Sequence, residues 1–240
     1  MRDPLINFNW DTLCSEYDKH CHGFDPDSPH LGELKKALAS DRDLYSVLIE
    51  RIGEEFRKST EISYCSYRAM VYWKLYSQPI ALTNTVDPLA TNPQKTQVES
   101  NLKRVRDVLP VKVKRDSVFI CRLIESVGDL QLPAMTWEKA YPVRSTLLHF
   151  LYPNDIPVFD IMVLQAVGVE DKKANHDLSY FKRYLEHAWY LEQKHRKALS
   201  AFPGLSTIRV LDMALWVNRG KQVSFKKKHQ AECSSTSSDS

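Results

Sequence analysis

Glycine is scarce in this chain, at 7 of 240 residues. That argues against sheet-rich folds built on tight turns, and against phosphate loops that depend on bare backbone. The five cysteines (Cys14, Cys21, Cys65, Cys121 and Cys233) form no CxxC, so neither a zinc ribbon nor a thioredoxin-like motif is present. Scattered thiols in odd number fit the reduced cysteines of a cytosolic protein. No stretch approaches the ~20 apolar residues that span a bilayer. The opening MRDPLINFNW also lacks the apolar run of a signal peptide. The expected location is the cytoplasm, nucleoid or nucleus included, with no membrane partner. P-loop, Rossmann, GxSxG and HExxH patterns are missing as well, and nothing calls for a cofactor. The formal charge of +3 permits a nucleic-acid partner without demanding one.

What is present is helical periodicity. Residues 1–30 mix Pro, Asp, His and Cys with isolated aromatics and read as irregular. Leu31, Leu34, Leu38, Leu44, Val47, Leu48 and Ile52 then recur at offsets of three and four, with a break and an N-cap at Ser40 or Asp41. Tyr64–Tyr76 is dense in aromatics and reads as a buried helix, with a strand open on propensity alone. Gln78–Lys95 holds three prolines and reads as a long loop. Val98–Leu109, Val118–Val127 and Ser206–Asn218 each carry an apolar helical face, as does a long helix capped by Asp177. The tail from Gly220 is Lys-rich, then Ser-rich, and is expected to be disordered. The expected fold is all-α, a bundle of about nine helices over residues 31–219, in two lobes with a groove between them. Oligomeric state is open.

The segment Val143–Gly168 (VRSTLLHFLYPNDIPVFDIMVLQAVG) carries the sharpest signal. Pro153 and Pro157 bracket a short turn between two apolar helices, and Asp160 opens the second. A carboxylate there caps the helix, an effect of ~1 kcal/mol. Alternatively it faces a cleft, where it stabilises developing positive charge or activates a water.

The run RSTLLHFLYPNDIPVFDIMVLQAVG resembles the core of helix-hairpin-helix DNA glycosylases, especially the shorter bacterial proteins similar to 8-oxoguanine glycosylases. IRVLDMALW (Ile208–Trp216) resembles their terminal helix, and the likeness spans Thr136–Trp216, about a third of the chain. The resemblance implies a base-excision activity with Asp160 as the catalytic carboxylate, and DNA as partner. Two departures bear on this. No glycine lies between Trp137 and Asp160, where the family's hairpin binds a phosphate through exposed N–H groups, and Pro142 removes a further donor. Ser145 or Thr146 stands where lyase members place a nucleophilic Lys, with Arg144 adjacent. An active enzyme would therefore be monofunctional. The alternative is a non-catalytic helical protein of the same fold that binds DNA or another protein.

Other candidates carry two readings each. Lys95–Arg115 is rich in cations; Lys103, Arg104, Arg106, Lys112, Lys114 and Arg115, with Arg144, are candidates for phosphate contact, or for an ordinary solvated face. Tyr72 and Trp73 are candidates for stacking on a base, or for core packing. His149 reads as a satisfied core histidine, and Arg209 with Asp212 as a helix-surface pair. Cys14, His20, Cys21, His22 and His30 are metal-ligand types in no recognised zinc spacing.

Overall fold

The computed structural model describes residues 1–21, 23–58, 61–90 and 95–219. Among these residues the regular structure is helical throughout. The main helices are α1 (Leu13–His20), α2 (Asp41–Arg57), α3 (Tyr64–Leu75), α4 (Lys95–Lys103), α5 (Ser117–Asp129), α6 (Tyr141–Leu151), α7 (Ile161–Ala166), α8 (Leu178–Lys194) and α9 (Thr207–Asn218). No described helix is long and apolar enough to cross a membrane. The expected tail, residues 220–240 with its Lys226–Lys228 run and Cys233, lies outside the described residues.

Side-chain oxygens fix where the helices begin. Ser40, Ser63, Asp116, Asp160, Asp177 and Ser206 each accept a backbone N–H of the turn that follows. Ser40 and Asp43 cap reciprocally: Asp43 N–H donates to Ser40 Oγ at 3.2 Å, and the Ser40 hydroxyl donates to Asp43 Oδ2 at 2.8 Å. At the other end of α7, Gly168 takes φ +88°, which a side chain tolerates poorly.

Helix α6 is buried on every face and sits at the centre, against α2, α3 and α5. Its buried polar groups are all bonded. Arg144 donates to the carbonyls of Met135 and Trp137, at 3.0 and 2.9 Å. Ser145 Oγ accepts Phe159 N–H at 3.0 Å, and Thr146 donates to Pro142 O. His149 lies between Tyr45 Oη at 2.8 Å and Ile156 O at 2.7 Å. Buried polar groups are tolerated only when paired in this way. Helices α7, α8 and α1 pack on α9, and α5 packs on α8.

Two local expectations are corrected. Residues 1–30 are not irregular throughout, because Leu13 and Tyr17, four apart, bury one face of α1 against α9. The N-terminal strand of chain is tied in as well. Arg2 N–H donates to Val167 O at 2.8 Å, Asp3 pairs with Lys194 at 2.8 Å and His195 at 3.0 Å, and Asn218 donates to Pro4 O. The Gln78–Lys95 segment is not a plain loop. It coils through Pro79–Ala81, Leu82–Val86 and Asp87–Ala90, anchored by buried Val86 and Leu89 and by Asp87 on His30 at 2.9 Å. Tertiary burial overrides weak local preference in both places.

Candidate functional site

A cavity of about 680 Å³ is lined by residues of α1, α3 and α9, by the turn before α6 and by the start of α7. That volume is in the range of small-molecule sites. Trp73, Trp137 and Trp216 give it aromatic walls, and Pro142, Val158 and Met162 add apolar surface. Trp137 is 52% exposed and leans on His176, with ring centroids 5.1 Å apart. Ala134, which also lines the cavity, holds φ +67°, a backbone state that costs a non-glycine residue about a kcal/mol or more.

Asp160 lines the cavity and divides its oxygens between two tasks. Oδ1 accepts the N–H groups of Met162 at 2.8 Å and Val163 at 3.1 Å, closing the start of α7. Oδ2 accepts Lys74 Nζ of α3 at 2.9 Å. The Lys74 and Asp160 side chains are 8% and 19% exposed. Burial alone would raise the Asp160 carboxyl. The Lys74 charge and hydrogen bond, with the two helix N–H groups, outweigh it and hold the group below its ordinary value. Asp160 is therefore an ionised carboxylate at neutral pH.

Deeper in the wall lies a second ionic cluster. Arg209 is 1% exposed. Its guanidinium donates to Asp212 Oδ2 at 2.6 Å and to Tyr17 Oη at 2.7 Å, and lies 3.6 Å from Asp41 Oδ1. Tyr17 donates in turn to Asp41 at 2.9 Å. The rings of Tyr17, Tyr45 and Trp73 surround the guanidinium with centroids 4.3–5.2 Å from Arg209 Cζ. Desolvation raises both Asp41 and Asp212 against the pull of Arg209, Asp212 to about 6.

The candidates named from sequence disperse. Asp160 and Trp73 line the cavity, whereas Tyr72 does not. Tyr72 is buried against Phe24 and His30 and bonded to Asp25, so it is a packing residue. Arg144 is a buried structural contact, not a phosphate ligand. No residue of Lys95–Arg115 lines the cavity. Lys103 pairs with Glu61 at 3.5 Å, Arg106 holds Phe56 O and covers its ring, and Arg115 bridges Asp155 and Glu192. Arg104, Lys112 and Lys114 are exposed. Arg209 and Asp212 are correctly paired but buried, not on the surface. Among the described residues no three His, Cys, Asp or Glu side chains gather as a metal site.

No protein-family model, curated protein or solved structure matches the chain. The site is therefore read from its own chemistry. Sequence reasoning missed Lys74, Asp41 and Trp137. Lys74 left one usable signal, one of two cations, with Arg68, in a helix whose remaining positions are mostly apolar or aromatic. A charge in such a helix needs a partner.

Proposed function

We propose that the cavity is the base-binding site of a DNA-glycosylase-like enzyme, a two-lobed helical protein acting in base excision. Asp160 is its catalytic carboxylate. One observation carries the reading. Asp160 remains ionised in a largely dry wall of a nucleoside-sized cavity, held at fixed orientation by its own helix and by Lys74. A negative charge pre-positioned in this way stabilises the positive charge that develops on a sugar as its N-glycosidic bond breaks. Exposed Trp137 offers a π face to an extruded base, while Trp73 and Trp216 line the cavity with rings already packed on Arg209 and Arg219. Exposed Arg104, Lys112 and Lys114 remain candidates for backbone contacts outside the cavity.

The Lys74–Asp160 contact favours a second reading, in which the reaction is not monofunctional. Ser145 and Thr146 are buried and engaged, so no amine comes from α6. Lys74 brings an amine to Asp160 from α3 instead. With one ammonium proton passed through Asp160 to the departing base, the amine lone pair attacks the anomeric carbon as the bond to the base breaks and the base leaves with its electron pair; a second proton then passes from nitrogen to the ring oxygen, which opens the sugar and leaves a Schiff base.

The test is a panel of duplexes and single strands carrying damaged bases, incubated with the native protein, Asp160→Asn and Lys74→Met. The first reading expects base release, an intact strand until alkali is added, and a loss on the order of 100-fold or more in Asp160→Asn. The second expects a borohydride-trapped covalent adduct that vanishes in Lys74→Met. Equal product from native protein and Asp160→Asn, or none from either, sinks the catalytic role and leaves a binding protein.

A further inference from the structure

We propose that Arg219 binds the phosphate of a nucleotide whose base enters the cavity. The substrate is then a nucleotide with a terminal phosphate, free or at a strand end, and not an internal base of a duplex. The proposal deepens the reading of the cavity as a base-binding site and rests on it. It starts from a count of charges. Three cations, Lys74, Arg209 and Arg219, and three carboxylates, Asp41, Asp160 and Asp212, line the cavity, and His20 and His176 border it as well. They are not matched one to one. Lys74 pairs with Asp160 at 2.9 Å. Arg209 serves both Asp41 and Asp212. Arg219 forms no ion pair among the described residues. Asp160, the first of the charges that act on it, is already held by Lys74 and two N–H groups.

The mismatch is ordered along α9. Arg209, Asp212, Trp216 and Arg219 follow one another at offsets of three and four, on one face of the helix and its end. Arg209 and Asp212 are 1% and 5% exposed, whereas Trp216 and Arg219 are half-buried. The deep end of the row therefore holds the surplus carboxylate, and the outer end the surplus cation. From Asp212 to Arg219 the helix rises roughly 10 Å, at about 1.5 Å per residue. The Trp216 ring holds the outer guanidinium in place, with Arg219 Cζ 3.4 Å from the ring centroid. Stacking of this kind occupies a guanidinium face and leaves the N–H edge for a bidentate oxyanion. That edge is unused, because Arg219 Nη1 is buried and has no hydrogen-bond partner. Outside the deep cluster one other cavity residue is in the same state. Asn175 Oδ1 is buried and unpartnered, next to the His176 on which Trp137 leans. A buried polar atom left unmet is destabilising, and in a cavity a ligand can meet it.

These features select a ligand with donors at one end and an anion at the other. A nucleotide carries its groups in that order. Its base presents N–H donors for Asn175 Oδ1, and its phosphate takes the free edge of Arg219. A bare base or a nucleoside leaves Arg219 without an acceptor. A terminal phosphate brings about −1.5 to −2 charges at neutral pH, whereas an internal diester brings one and continues into chain on both sides.

Calorimetric titration of the full chain at pH 7 and low salt tests this. The probes are the four common deoxynucleosides, their 5′-monophosphates, inorganic phosphate, and short single strands with a 5′-phosphate or a 5′-hydroxyl. At least one phosphorylated probe should bind roughly 10–100-fold more tightly than its unphosphorylated twin. Added salt should weaken that preference. Arg219→Gln, its fold checked by circular dichroism, should bring the phosphorylated probe down to its twin. Arg219→Lys keeps the charge without the fork and should restore only part of the preference. A preference shown by mononucleotides assigns free nucleotides as the source; one shown by strands alone assigns a strand end. Three results overturn the proposal: no preference in either set, a preference that survives in folded Arg219→Gln, or inorganic phosphate binding as tightly as the nucleotides, which leaves an anion site without a base site. Phosphate-dependent binding without release of any base sinks the enzymatic reading alone. Base release with no phosphate preference sinks this proposal alone.

Discussion

Replacing Asp160 by Asn separates the two tasks of that carboxylate. Asn caps a helix about as well as Asp, so the N–H groups of Met162 and Val163 keep an acceptor. What is lost is the counter-charge for Lys74. At 2.9 Å, two unit charges attract by about 6 kcal/mol at an effective dielectric near 20, before desolvation is subtracted. Exposed pairs net less than about 1 kcal/mol, while breaking a fully buried pair costs about 3–5 kcal/mol. With side chains 8% and 19% exposed, this pair belongs between those limits, at about 2–3 kcal/mol. For a chain this long each kcal/mol moves Tm by about 2–4 °C, giving a drop of about 4–12 °C. Lys74→Met in the Asp160→Asn background removes the stranded ammonium and should recover most of the loss. Urea denaturation of all four proteins closes the cycle. The difference between native protein and Asp160→Asn should also depend on acid. Asp160 sits below its ordinary 3.8 in the folded state, so its stabilisation is complete above that value. It is lost as pH falls through the lower folded value. A coupling under about 0.5 kcal/mol at pH 7 would refute the account, because it would mean that Lys74 is solvated without its partner.

Arg209→Met should cost about 3–5 kcal/mol at pH 7, since it strands Asp41 and Asp212 in the core. Arg209→Lys should recover less than half, because an ammonium cannot fork to Asp212 and Tyr17 while lying among three rings; a native urea midpoint for Arg209→Lys would contradict this. His149 is pushed down to about 3 by burial, against its hydrogen bond to Ile156. The unfolded chain therefore binds the extra proton between pH 6.5 and 3, and stability falls across that window as acid is added, at up to about 1.4 kcal/mol per pH unit. His149→Gln should flatten this part of a calorimetric pH series, and an unchanged slope would show that His149 protonates without unfolding.

Helix starts were the most readable feature of the sequence. Ser40 (or Asp41), Asp160 and Asp177 read as caps ahead of helical periods, and Ser40, Asp160 and Asp177 each cap a helix in the structure. The all-helical class followed from the same periodicity and from scarce glycine. Helix α1 was hidden because its burial depends on a surface of α9 almost two hundred residues later, which no local window contains. The site was half readable. Asp160 could be found because an acid interrupts an oily segment. Its partner Lys74 is 86 residues away, and only the tertiary fold brings the two together. Arg209 and Asp212 were visible as a spaced pair. Their burial was not, since an i,i+3 ion pair looks the same on a surface and in a core. The basic run misled for a related reason: charge density says nothing about which guanidinium is already bonded to a carbonyl.

The ties of the first residues to the last helix set a timetable for folding. Asn218 holds Pro4 across 214 positions, and Arg209 bonds Tyr17 across 192. At roughly 5–20 residues per second, a ribosome needs roughly 10–40 s to deliver α9 after α1 has emerged. Until then Leu5, Leu13 and Tyr17 have no seat, and the cavity lacks one wall. Contacts of such long range slow folding and prolong the exposure of apolar surface. The pocket is thus among the last parts of the molecule to form, and a nascent chain lacking α9 has helices but no site.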